Sequence, residues 1–230
     1  MTQKPLIAAA EAARLVKDGM TVHVGGFLGC GSPERIIAAL DAQGTKDLTL
    51  VCNDTAVLDL KNGRENGVSV LVKNKRFKRM IVSHIGTNPE TQRQMNAGET
   101  EVVLVPQGTL AERVRAAGSG LGGILTPTGV GTEVEEGKTK ILVKDKVYLL
   151  EEGLPGDVAL IKAAKADRAG NLRYSKTARN FNPLMATACA LVIAEVEELV
   201  EIGGLDPDDV HTPSIFVDFI VLSPKPEARA

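Results

Sequence analysis

The chain has 230 residues, a formal net charge of −2, no Trp and only two Tyr. That charge lacks the basic footprint of a nucleic-acid or anionic-membrane partner, and no apolar stretch approaches the ~20 residues that cross a bilayer. Val, Leu, Ile and Ala must build the core, and the length suits one large domain, read here as residues 1–222 with a ragged tail over 223–230.

Residues 7–17 read as an amphipathic helix. Glu11, Arg14 and Lys17 break the apolar run at helical spacing, which argues against a signal peptide and for a cytosolic chain. Thr21–Val24 reads as a short buried strand, 33–42 as a helix ending near Gly44, and 48–52 as the next strand. Another strand is expected over 80–83, and Asn88-Pro89-Glu90 signals a helix through an N-cap followed by proline. A strand over 101–105 precedes Thr109 and Glu112, a Thr-x-x-Glu capping box predicted to open a helix over 110–117. This alternation argues for an α/β fold, a mostly parallel open sheet flanked by helices.

Beyond it, residues 118–131 form a glycine-rich, mostly apolar loop too long for a mere connector, which suggests function. Segments 141–143 and 147–150 flank Lys144-Asp145-Lys146 as a hairpin. Strands are expected over 158–162 and 191–196, with a helix starting near Pro183 between them.

Cys30, Cys52 and Cys189 show no Cys-x-x-Cys spacing, and His23, His84 and His211 are scattered, so no metal site is expected. The sharpest local signal runs from Asp18 to Pro33. A strand enters Gly25-Gly26-Phe27-Leu28-Gly29-Cys30-Gly31, and the loop ends at Ser32, expected to be an N-cap, followed by Pro33. Glycines allow close backbone approach, and a helix start offers unpaired N–H groups, so a phosphate or pyrophosphate fits here. A tight strand-to-helix turn explains the same residues. Gly118-Ser119-Gly120-Leu121-Gly122-Gly123 matches Gly-x-Gly-x-x-Gly but follows a helix, which rejects a dinucleotide fingerprint. Lys73, Lys75, Arg76, Lys78 and Arg79 form a basic run, either a solvated face or a patch for phosphates or a partner's acids.

Asp18-Gly19, Gly25-Gly26-Phe27 and Gly31-Ser32-Pro33 resemble the first signature of family I CoA-transferases. The departure is His23, at a position where that pattern is apolar; a hydrogen-bond partner in the neighbouring strand is the expected reason for it. Further blocks similar to the family's alpha half follow in order: Asn53-Asp54-Thr55-Ala56, Ser83-His84-Ile85-Gly86-Thr87-Asn88-Pro89-Glu90, Val105-Pro106-Gln107-Gly108-Thr109, Thr126-Pro127-Thr128-Gly129 and Ala178-Arg179-Asn180-Phe181-Asn182-Pro183.

The resemblance implies ping-pong transfer of CoA between short-chain acids of the acetoacetate, acetate and butyrate type. A glutamate of the B (beta) subunit, in a Ser-Glu-Asn-Gly motif, would be the nucleophile, and the assembly would be α2β2. A branch using succinyl-CoA or 3-oxoadipate is the alternative. CoA thioester would be a substrate, with no permanently bound cofactor. The resemblance places Asn53 and Gln107 at the reaction centre, where side-chain amides suit a developing oxyanion. Gly25, Gly26, Phe27, Leu28, Gly29, Cys30 and Gly31 would contact CoA, and 118–131 would help line its channel. Arg64-Glu65-Asn66-Gly67 contains Glu-Asn-Gly, yet lacks the serine and reads as a solvated turn or hairpin insertion. A reading from another class is a non-catalytic nucleotide- or sugar-phosphate-binding α/β domain, which explains the glycine loop but not the later blocks.

Overall fold

The computed structural model describes residues 2–59 and 61–224. In chain order the elements are α1 (Ala9–Leu15), β1 (Thr21–Val24), α2 (Glu34–Gln43), β2 (Leu48–Val51), β3 (Leu58–Asp59), β4 (Arg64–Glu65) and α3 (Ser69–Lys73). Then come β5 (Phe77–Val82), α4 (Pro89–Asn96), β6 (Glu101–Leu104), α5 (Gln107–Gly118), β7 (Gly123–Thr126), β8 (Lys140–Val143) and β9 (Lys146–Glu152). The chain closes with β10 (Gly156–Asp167), β11 (Leu172–Arg173), α6 (Asn182–Met185), β12 (Cys189–Val200) and β13 (Phe219–Leu222).

The main sheet runs β13-β12-β10-β1-β2-β5-β6, every pair along it parallel, and β11 adds antiparallel to β10. Period-two alternation splits its side chains between two cores. Val22, Val24, Leu48, Leu50, Met80, Val158 and Leu160 face α1, α2 and α3, while Val51, Ile81, Ala159 and Ile161 face α5 and α6. A sheet covered on both faces is what the continuous apolar runs require.

β10 and β12 are far longer than the sequence suggests. Lys162 opposes Glu195 and Lys165 opposes Glu198 in register, with ion pairs at 3.0 and 2.8 Å, so charges that look like strand ends are cross-strand partners. β11 and β13 are additions to the expected strands. The capping box is not formed: α5 begins at Gln107, Thr109 lies buried in its first turn, and Glu112 pairs with Arg115 at 2.7 Å instead. The expected long loop is a correction too. Residues 118–131 include the end of α5 and β7, which joins the β8–β9 hairpin in a separate antiparallel sheet ordered β7-β9-β8. Ser223, expected in the tail, is buried and donates its N–H to Val196 O at 2.7 Å; residues 225–230 of that tail lie outside the described residues.

Candidate functional site

Because the strands are parallel, the loops after β1, β2, β5 and β6 all leave one edge of the sheet. The chain places β2, β5 and β6 on one side of β1 and β10, β12 and β13 on the other, so the order reverses between β1 and β10. Crevices at such switch points are where open α/β sheets take ligands.

The loop after β1 is a tight two-residue turn. Phe27 and Cys30 exchange both backbone hydrogen bonds, at 3.0 and 2.9 Å, around Leu28 and Gly29. Leu28 has φ +49° and Gly29 φ +84°, the signature of a primed turn. A leucine in that region persists only where its surroundings over-determine it. Here the Leu28 N–H donates to Asp54 Oδ2 at 2.9 Å, and its carbonyl accepts from Asn66 Nδ2 at 3.2 Å.

The glycines make room for this chain's own side chains. A Cβ on Gly25 would stand 1.8 Å from Asn182 Oδ1, one on Gly26 2.3 Å from Ser32 Oγ, and one on Gly29 2.4 Å from the Asn66 amide. Asn182 Nδ2 also donates to Gly31 O at 3.0 Å. The surface left to a ligand is the tip, where Phe27 and Cys30 are exposed and Leu28 and Gly29 half-buried.

The start of α2 also departs from expectation. Pro33, not Ser32, is the N-cap, and no side chain of the turn caps the helix. Its N–H groups are already taken: those of Arg35 and Ile36 both donate to Glu195 Oε2 at 3.0 Å. Glu195 is buried on β12, and its other oxygen accepts from Lys162 Nζ at 3.0 Å. A buried carboxylate therefore stands where a phosphate was expected. Beside it, a cleft of about 370 Å³ opens between the turn and β10, lined by Cys30, Glu34, Lys162, Lys176, Thr177 and Glu197 among others.

Asn53 and Gln107 are brought together. Asn53 follows β2, is 1% exposed, and accepts from Gln107 Nε2 at 2.7 Å. Gln107 is the first residue of α5, not a strand end, and it is exposed. Ser83, just after β5, donates its hydroxyl to Asn53 O at 2.7 Å. Asn53 Nδ2 donates to Asp54 Oδ2 at 2.6 Å, which joins the amide pair to the glycine turn. Sequence reasoning missed Asp54, Ser83 and Glu195. The signals were an acid directly after an apolar strand, a hydroxyl in the same place on β5, and a lone acid inside the run Ala-Leu-Val-Ile-Ala-Glu-Val.

Other candidates resolve differently. His23 is fully buried, and neither ring nitrogen makes the expected hydrogen bond; its ring packs over Gly156 beside Cys189, and burial pushes its pKa down to about 4. The three cysteines are free, and burial raises the thiols of Cys52 and Cys189. In the basic run, Lys73 pairs with Glu65 at 2.5 Å, Lys75 with Glu99 at 3.0 Å, Arg76 with Asp41 at 3.0 Å and Arg79 with Glu101 at 3.2 Å. Most of its charge is thus met within the chain. Glu65 lies exposed on the β3–β4 hairpin, but Asn66 and Gly67 are packed against the glycine turn rather than solvated.

Comparison with known proteins places this geometry. The sequence pattern described as coenzyme A transferase matches residues 6–223. The alpha subunit of the acetate CoA-transferase of Escherichia coli K12 is 51% identical over 95% of this chain and 96% of its own length. The corresponding half of a probable succinyl-CoA:3-ketoacid coenzyme A transferase of Bacillus subtilis is 50% identical over 98% of this chain and 92% of its own. An acyl-CoA transferase of Escherichia coli O157:H7, solved as a thioester complex with CoA, shares the fold with a TM-score of 0.84 at 22% identity, over 96% of this chain. This chain spans 47% of that longer one, about half its length.

Proposed function

The chain belongs to the coenzyme A transferase family, and we propose that it is the alpha half of a heteromeric enzyme exchanging CoA among acetoacetate, acetate and butyrate. The beta subunit supplies the nucleophilic glutamate, and the two assemble as α2β2. The observation that carries this reading is the Gln107–Asn53 contact at the C-terminal edge of the parallel sheet. The side chains that reach Asn53 are Asp54, Ser83 and Gln107, and none is a glutamate.

The partner's carboxylate attacks the thioester carbonyl, and CoA thiolate leaves to give a mixed anhydride. The thiolate then attacks the glutamyl carbonyl and expels the donor acid, leaving a glutamyl–CoA thioester. The acceptor carboxylate reverses the sequence. Each attack places negative charge on a carbonyl oxygen, and a carboxylate is a weak nucleophile, so fixed donors must stabilise that charge. Gln107 supplies such a donor from an exposed position, and buried Asn53 holds it. The Phe27–Cys30 tip contacts the CoA thioester, which is a substrate rather than a resident cofactor. The family match over nearly the whole chain sets aside a non-catalytic nucleotide-binding domain. The Bacillus subtilis relative supports a second reading, succinyl-CoA as donor, which a screen of donor esters separates.

The purified chain alone should show no turnover of acetoacetyl-CoA with acetate, and the chain combined with its beta subunit should restore it. Mass spectrometry during turnover should find the CoA adduct on the beta subunit. Robust turnover by this chain alone, or an adduct on it, overturns the proposal.

A further inference from the structure

One buried carboxylate touches both parts of the site. Asp54 is 2% exposed. Its Oδ2 accepts from Leu28 N at 2.9 Å and from Asn53 Nδ2 at 2.6 Å, and its Oδ1 accepts from Ala56 N at 2.7 Å. A carboxylate ringed by three N–H groups only accepts, so Asn53 must turn its NH₂ group toward it. The Asn53 carbonyl oxygen is then committed to the other side, where Gln107 Nε2 donates to it at 2.7 Å and the Ser83 hydroxyl stands 3.3 Å away. Gln107 spends one N–H on Asn53 and keeps the second.

We propose that Asp54 is a positioning residue that fixes the polarity of this row of amides. An acceptor-only group at one end forces donor-to-acceptor order through Asn53 to Gln107, so the second N–H of Gln107 stays beside the reacting carbonyl. Were the row free to flip, an amide oxygen would face the developing oxyanion and repel it. The same carboxylate ties the Leu28-Gly29 turn to the row, so the surface that meets CoA and the donor that meets the oxyanion share one anchor. This inference rests on the reading of Gln107 as an oxyanion donor.

The test is a double-mutant cycle on the chain assembled with its beta subunit, following enzyme–CoA thioester formation in a single turnover of saturating acetoacetyl-CoA. Gln107→Ala should slow that step about 100- to 1000-fold, the usual loss for one oxyanion donor. Asp54→Asn should slow it about 10- to 100-fold. The Asp54→Asn, Gln107→Ala pair should be no slower than Gln107→Ala within about twofold, because both changes remove one effect. Losses that multiply, or an Asp54→Asn enzyme as fast as the parent, overturn the inference while leaving Gln107 in place. A Gln107→Ala enzyme of normal rate removes the underlying reading, and the inference falls with it. If Asp54→Asn does not assemble, Asn53→Ala cuts the row without touching the Leu28 and Ala56 anchors. The same cycle then applies, and multiplicative losses there overturn the inference equally.

Discussion

The turn from β1 into α2 and the turn from β6 into α5 leave the same edge of the sheet, yet one is filled and the other open. At the first, Glu195 holds the helix N–H groups, and Asn66, Asn182 and Ser32 stand where glycine side chains would be. At the second, Pro106 is the N-cap, no side chain caps the helix, Gln107 is exposed, and a Cβ on Gly108 would meet nothing within 4 Å. Glycine in a loop records that something approaches closely, and at the first turn the chain's own side chains do so. The open turn carries its chemistry on a single amide.

The largest expected effect tests whether Glu195 is what fills the α2 turn. Glu195→Leu should strip the cap from Arg35 and Ile36 and leave Lys162 with only Glu197, 3.9 Å away. Breaking a buried pair in this way costs about 3–5 kcal/mol. Glu195→Gln, which keeps one accepting oxygen, should cost less. Urea unfolding of the chain checks both. A Glu195→Leu chain within about 1 kcal/mol of the parent would mean that another group serves the helix, and would restore this terminus as a candidate anion site.

A smaller effect comes from behind the same turn. His23 sits neutral in the fold, its pKa lowered by burial from 6.5 to about 4. The unfolded chain takes up a proton near the ordinary value while the folded chain does not, so stability should fall as pH drops from about 6.5 to 4. Below that it should level off, as both states are then protonated. The loss attributable to His23 is about 3 kcal/mol. Urea midpoints at pH 7, 5 and 4 should show this slope in the parent and much less of it in His23→Leu. An unchanged slope would place the acid sensitivity elsewhere.

These two residues also show what was legible in the sequence. β1, β2 and β6, and the Asn88 cap of α4, follow from apolar runs and turn chemistry that act over a few residues. The pairing of Asn53 with Gln107 was likewise within reach, since both follow strands of one parallel sheet. Glu195 was not, because its partners lie about 160 residues earlier (Arg35 and Ile36) and 33 residues earlier (Lys162). Nor was His23, whose space is made by Gly156 on the neighbouring strand. β7 escaped because glycines surround it, and only its antiparallel partner β9 turns that segment into sheet. Local rules see the chain in order, whereas a cap, a cavity or an edge strand is supplied from elsewhere.

The smallest effects separate two neighbours on the β3–β4 hairpin. Glu65 is exposed and pairs with Lys73, so Glu65→Ala should cost about 0–1 kcal/mol, the range of surface ion pairs, and leave the assembled enzyme as active as the parent. Asn66, one residue on, accepts from Val57 N at 3.0 Å and donates to Leu28 O at 3.2 Å, and its amide fills the space beside Gly29. Asn66→Ala should leave a half-buried donor and acceptor unpaired, for about 1–3 kcal/mol. It should also loosen the Leu28-Gly29 turn, raising the KM for acetoacetyl-CoA while leaving the rate at saturation nearly unchanged. Thermal melting and steady-state kinetics on the two variants check this. If Asn66→Ala is as silent as Glu65→Ala, the turn holds its shape without the hairpin, and Asp54 alone determines the conformation of Leu28. If Glu65→Ala instead abolishes turnover by orders of magnitude, the nucleophile lies on this chain after all, because a solvated ion pair has no other way to produce so large a loss.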